Sequence, residues 1–164
     1  MKRKNKDGFL VLFTELEADI IKLNELLSEN ERAWGRIQAG AKDSLDYAAL
    51  GYTIHNIYCL LENYFLRVSK YFENNLEQNG WHKELLHRMS LEIDRIRPAL
   101  LDRDLAEDLD EYRSFRHLFR NLYQSRIIPE RLAFLQTRLP SLLDKFKQKH
   151  TLFVEKLKAI AEKL

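Results

Sequence analysis

Apolar residues recur every three or four positions from Phe9 to about Gln38, with Phe9, Leu12, Phe13, Leu16, Ile20, Leu23, Leu26 and Leu27 on one stripe. That period is the mark of an amphipathic helix. Gly40-Ala-Lys-Asp-Ser44 interrupts it, and Asp43 or Ser44 is an N-cap for a second helix through Tyr47, Leu50, Ile54, Ile57, Leu61, Tyr64, Phe65 and Val68. This second helix is the most apolar and is expected at the centre. The polar run Glu73 to Gly80 ends in an Asn-Gly turn signal, after which Trp81 to Ile93 reads as a short third helix. Pro98 stops or kinks what precedes it. Asp102 or Asp104 then caps a fourth helix to about Tyr123, and Pro129 opens a fifth that runs to Leu164, with Pro140 a candidate break.

The connections are short, so the pattern predicts an all-α, up-and-down bundle of four to five antiparallel helices. The 164 residues suit one domain over 1–164, and a 45% hydrophobic share can enclose one core. Five glycines and three prolines leave few turn formers, which agrees with helices and argues against hairpins. A net charge of +2 is too small for a chain that coats nucleic acid indiscriminately, so any such role needs a local cluster. The single cysteine, Cys59, allows no internal disulfide and reads as a small buried apolar residue of a cytoplasmic protein. The opening Met1-Lys-Arg-Lys-Asn-Lys6 has the charge of a signal-peptide start, but the apolar run Phe9 to Phe13 is too short for export. No run reaches the ~18 apolar residues of a membrane span, so no membrane partner is expected.

On the fourth helix Leu105, Leu109, Tyr112, Phe119 and Tyr123 form the apolar stripe, and Arg116 lies inside it. The plain explanation is that its stem packs while its head reaches water or pairs with Asp110 or Glu111. Arg113, Arg116 and Arg120, however, project from successive turns, with His117 beside them and Arg126 just beyond. Forked guanidiniums bind phosphate oxygens in pairs, which makes an RNA backbone, a nucleotide or an acidic partner the natural ligand.

Arg116-His-Leu-Phe-Arg-Asn-Leu-Tyr123 resembles the motif of HEPN proteins, an arginine followed four to six residues later by histidine. In the HepT-like toxins a tyrosine follows that histidine after one residue. The preceding Leu109-Asp-Glu-Tyr-Arg-Ser-Phe115, the following Ile127-Ile-Pro-Glu-Arg-Leu132, and Trp81 to Ile93 with Arg97-Pro98 are similar to HepT-like sequences as well. The resemblance implies an HEPN-like bundle, a homodimer with the motifs in a shared cleft, and metal-independent cleavage of an RNA substrate by a ribonuclease toxin without a cofactor. It also implies a cognate nucleotidyltransferase antitoxin that AMPylates the motif tyrosine, here Tyr123. Without the resemblance, Tyr123 reads as a core aromatic whose hydroxyl reaches the surface. With it, Arg116 stabilises charge on phosphorus, Asn121 orients, His117 assists, and Arg113, Arg120 and Arg126 hold phosphate.

Asn121 stands where the motif has histidine, and an amide cannot exchange a proton near neutral pH. The site therefore works by positioning with a weaker acceptor, or His117 substitutes, or the chain is a non-catalytic binding module that docks a nucleotidyltransferase or a phosphate-bearing ligand. Geometry adds a constraint. Five residues turn a regular helix by ~500°, leaving Arg116 and Asn121 ~140° apart. The helix must end or distort near Asn121, or two copies must combine their residues.

Glu84 and His87 have the Glu-x-x-His spacing of di-iron bundles, but no second pair accompanies them, and they read as a solvated face. His55 on the apolar second helix reads as a hydrogen-bonded core histidine. Lys145, Lys147, Lys149, Lys156, Lys158 and Lys163 form a basic face that could also guide RNA. Phosphate loops, Gly-x-Ser-x-Gly elbows and zinc-ligand spacings are missing from the sequence.

Overall fold

The computed structural model describes residues 6–73, 81–94, 96–122 and 126–163. Among them the chain forms α1 (Lys6–Gln38), α2 (Ser44–Phe72), α3 (Trp81–Met89), α4 (Arg103–Arg120) and α5 (Pro129–Ala161), with no strand longer than a single bridge. Local chemistry sets several of the ends. The Asp43 carboxylate accepts from the backbone N–H of Leu45 and Asp46, while Asp46 reaches back to the Asp43 N–H, a reciprocal cap for α2. Asp102 caps α4 through the Leu105 N–H at 2.9 Å, and Pro129 takes the first turn of α5, where a missing N–H costs little.

Cross-helix pairs give the directions. Along α1 and α2, Arg36 meets Asp46, Asn30 meets Thr53, and Asp19 meets Arg67, so the two run antiparallel. Along α4 and α5, Tyr112 donates to the Leu135 carbonyl, Asp108 meets Arg138, and Asp102 meets Lys149, again antiparallel. Thr53 and Tyr64 of α2 face Gln136 and His150 of α5 in the same order, so those two are parallel. The result is the expected up-and-down bundle with α2 at its centre: Leu50, Ile54, Ile57, Leu61, Tyr64, Phe65 and Val68 are all buried. Two polar links lie inside the apolar core. Asn30 and Gln136 exchange reciprocal 2.8 Å amide bonds while Asn30 also donates to Thr53, and Tyr64 bonds His150 at 2.8 Å.

Four expectations need correction. The third helix ends at Met89, not Ile93, because Arg97 from the returning chain captures the backbone there. The Arg97 guanidinium is fully buried, pairs with Glu73, and donates to the carbonyls of Arg88, Leu91 and Pro98. The fourth helix ends at Arg120, while Tyr123 lies outside the described residues. Pro140 does not break α5, since Leu139, Leu142 and Leu143 are buried around it and hold both halves on the core. Cys59 is only half-buried, with its sulfur 3.6 Å from the His55 imidazole.

Candidate functional site

The last two turns of α4 and the first of α3 enclose a cavity of about 300 Å³, lined by His82, Arg113, Arg116, His117, Arg120 and Asn121. Of the residues singled out in and beside the motif, five therefore share one wall. Arg126 is exposed in the connection before α5 and does not line the cavity. Larger clefts of about 490, 560 and 670 Å³ lie elsewhere; the 490 Å³ one, between α1 and α2, has Arg32 and Arg36, with Arg36 already paired to Asp46. The 670 Å³ cleft is mostly apolar, and its Arg67 is already paired with Glu15 and Asp19; the 560 Å³ cleft offers Lys83, His87 and Arg103 around Leu86 and Ala106, with Arg103 tied to Glu107. The arginine-lined cavity is where phosphate chemistry is concentrated.

The end of α4 resolves the geometric problem of Arg116 and Asn121. Asn121 leaves helical geometry, with φ −111° and ψ 26°, and its backbone N–H turns to the Leu118 carbonyl. Its side-chain Nδ2 donates to the His117 carbonyl at 2.9 Å. The residue thus closes the helix and, by ending it, comes to the same cavity as Arg116. One amide hydrogen is spent on this cap.

Arg116 pairs with neither Asp110 nor Glu111. Asp110 is held instead by Arg113 at 2.6 Å, while Arg116 Nη2 lies 3.2 Å from Glu62 of α2. Glu62 is 5% exposed in its side chain and Arg116 13%, so this is a pair largely out of water. The other Glu62 oxygen accepts from His82 Nδ1 at 2.7 Å. Arg116 Nε is buried without a hydrogen-bond partner among the described residues, so the guanidinium is only partly satisfied. Arg120 and His117 are exposed and make no ion pair with any described residue. Tyr58 lies behind the pair with its hydroxyl buried and unpartnered among the described residues; burial first, then the Glu62 charge, raises its pKa.

His55 does not line the cavity. It is half-buried against the Phe119 ring at 5.2 Å and close to Asn56 Oδ1. Burial lowers its pKa, the Arg116 and Arg120 charges lower it further, and the Asn56 hydrogen bond and Glu62 oppose them. Glu84 carries a salt bridge to Arg88 rather than a bare solvated face. On α5, Lys149 is tied to Asp102 and Lys145 approaches Asp108, while Lys156, Lys158 and Lys163 are exposed.

Glu62 and His82 are site residues that neither the motif nor the arginines beside it include. Glu62 carried a readable signal, a carboxylate flanked by Leu61, Tyr64 and Phe65 on the most apolar helix. His82 carried none, since its role depends on how α3 docks.

A family model described as HepT-like protein matches residues 49–157, more than half of the chain and all of the elements that build the cavity. The chain belongs to the HepT-like family. No curated protein and no solved structure matches it. Among the described residues of this HepT-like protein, no helix is long and apolar enough to cross a membrane.

Proposed function

We infer that this HepT-like chain is an HEPN-type ribonuclease toxin that cleaves RNA without a metal, in a cleft completed by a second copy of itself. The observation that carries the reading is the convergence of Arg113, Arg116, Arg120 and Asn121 on one cavity of about 300 Å³. Arg116 stabilises the charge that develops on the phosphorane oxygens, Arg113 and Arg120 hold the neighbouring phosphates, Asn121 orients the ribose 2'-hydroxyl through its carbonyl oxygen or a phosphate through its remaining amide hydrogen, and His117 assists. Arg126, exposed before α5 and outside the cavity, adds a further phosphate contact. Membership in the HepT-like family supports a cognate nucleotidyltransferase as the neutralising partner. In that reaction the Tyr123 phenol oxygen attacks the α-phosphorus of a nucleoside triphosphate, loses its proton, and expels pyrophosphate. The added AMP competes with RNA for the arginines.

A second reading is favoured by the engagement of two motif residues. Asn121 spends part of its amide on the helix cap and Arg116 shares its charge with Glu62. A docking module that binds the nucleotidyltransferase without cutting RNA would tolerate both. Expression of the wild-type chain and of Arg116→Ala in growing cells, with total RNA run on gels, separates the two. Growth arrest with RNA loss for wild type and neither for Arg116→Ala is the expected result. Unchanged growth and RNA from both, at equal soluble expression, would remove the ribonuclease reading and leave the docking module.

A further inference from the structure

Attack of a 2'-hydroxyl on its neighbouring phosphate needs a proton acceptor within hydrogen-bond reach, and Asn121 cannot be one. The chain has five histidines. His150 is buried against Tyr64, His87 borders a different cleft, and His55 lies outside the cavity against Phe119. His117 lines the cavity but is exposed, and no described residue hydrogen-bonds its ring to fix a tautomer.

His82 differs from all of them. It lines the cavity from the α3 side, one ring face lies on Trp81 with centroids 3.8 Å apart, and its Nδ1 is 2.7 Å from Glu62 Oε2. Glu62 Oε1 in turn lies 3.2 Å from Arg116 Nη2. A carboxylate can only accept hydrogen bonds, so the hydrogen sits on His82 Nδ1 and the lone pair on Nε2. Nε2 has no hydrogen-bond partner among the described residues. Glu62 thereby couples the charge-stabilising arginine to an oriented imidazole across the cavity. This is the arrangement in which a buried carboxylate holds a catalytic histidine in its working tautomer and stabilises the imidazolium that forms.

We propose that His82 is the general base of this chain, supplied by α3 in place of the histidine missing from the motif, and that Glu62 is its positioning residue. The inference rests on the ribonuclease reading. In the step, the 2'-O–H bond breaks and its proton passes to His82 Nε2 while the 2'-oxygen bonds to phosphorus. The P–O5' bond breaks, its electron pair leaves with the 5'-oxygen, and that oxygen takes a proton from water. The products are a 2',3'-cyclic phosphate and a 5'-hydroxyl, and His82 returns its proton to solvent. Among the described residues, Arg113, Arg116, His117 and Arg120 line the cavity with the imidazole, and Glu62 pairs with it.

The test uses the purified full-length chain and a fluorescently labelled single-stranded RNA, comparing wild type with His82→Ala, His82→Gln, Glu62→Gln and Arg116→Ala. His82→Ala is expected to lose ~10²- to 10⁴-fold in rate, as removal of a general base does. Added imidazole restores part of that loss in His82→Ala and none in Arg116→Ala. His82→Gln, whose amide can still donate to Glu62 but takes no proton, loses as much, and stands in should the alanine variant not fold. Glu62→Gln is expected to lower kcat ~10- to 100-fold with KM unchanged, a split that simple loss of packing does not produce. Wild-type cleavage by a folded His82 variant, with Arg116→Ala inactive, would overturn the proposal and leave the ribonuclease reading standing. Failure of the wild-type chain to cleave any RNA would overturn both.

Discussion

Gly51 of α2 lies directly under the Phe119 ring of α4: a Cβ built on Gly51 would come within 2.8 Å of the ring's Cε2 and 3.6 Å of Phe115. Phe119 is hemmed in by Phe115 and His55, at ring distances of 5.7 and 5.2 Å, so it has little room to give. Gly51→Ala gains about 1 kcal/mol of helix propensity but forces an overpacked contact that typically costs about 1–3 kcal/mol. A net loss of up to about 2 kcal/mol is expected, read as a fall in Tm of up to ~8 °C. Because Phe119 sits in the turn that carries Arg116 and Arg120, RNA cleavage should fall by more than the stability change accounts for. A variant as stable and as active as wild type in melting and cleavage assays would show that the ring moves freely.

Arg97 is the residue whose loss the fold should feel most. Its guanidinium serves Glu73 and three backbone carbonyls while entirely out of water. Arg97→Met removes every donor at once, strands those carbonyls, and leaves Glu73, among the described residues, to Arg88. A cost of about 3–5 kcal/mol follows for breaking a buried pair from one side, a large part of the roughly 5–15 kcal/mol that holds a domain together. The urea midpoint measures it. Arg97→Lys should recover little, because one ammonium cannot span the fork's partners. A midpoint unchanged by either substitution would mean that the α2 to α4 connection is held by other contacts.

His55 gives the stability a pH dependence of known sign. Its pKa is lowered by folding, chiefly through burial, so the unfolded chain binds a proton more readily than the folded one. Stability is complete above the unfolded value of 6.5 and falls as the pH drops from there through the lower folded value. Asp102, whose pKa is lowered by the Lys149 hydrogen bond and the Leu105 N–H, acts in the same direction in a separate window that begins near its unfolded value of 3.8. Urea midpoints between pH 7 and 5 should therefore decline in wild type and flatten in His55→Gln. Equal slopes in the two proteins would assign that titration to another group.

The elements that local chemistry controls were legible in the sequence. The caps at Asp43 and Asp102, the first-turn Pro129 and the apolar stripe of α2 all act within a few residues of themselves, and each lies where the sequence indicates. The motif arginines were legible for the same reason, since Arg116 interrupts a helical stripe. What was hidden depends on contacts between distant parts of the chain. Met89 ends α3 because Arg97 binds the carbonyls of Arg88 and Leu91, and Arg116 ignores the acids of its own helix because the docking of α2 brings Glu62 nearer. Cys59 remains half-exposed because it occupies the flank of α2, beside His55 and away from the apolar core.

The amide knot of Asn30, Thr53 and Gln136 acts on the competing structures as much as on the native one. Apolar side chains reward any close packing, and a helix slid by one turn, about 5.4 Å, would exchange one set of leucines for another with little loss. The three side chains allow no such exchange, for their hydrogen bonds close only when α1, α2 and α5 share one height and one rotation. A slipped bundle would face hydrocarbon with unpaired dipoles at a cost of about 1–3 kcal/mol each. The knot therefore works as a vernier: it discriminates among near-identical packings, and it sets the height of α2, the helix that carries Glu62, against α1 and α5.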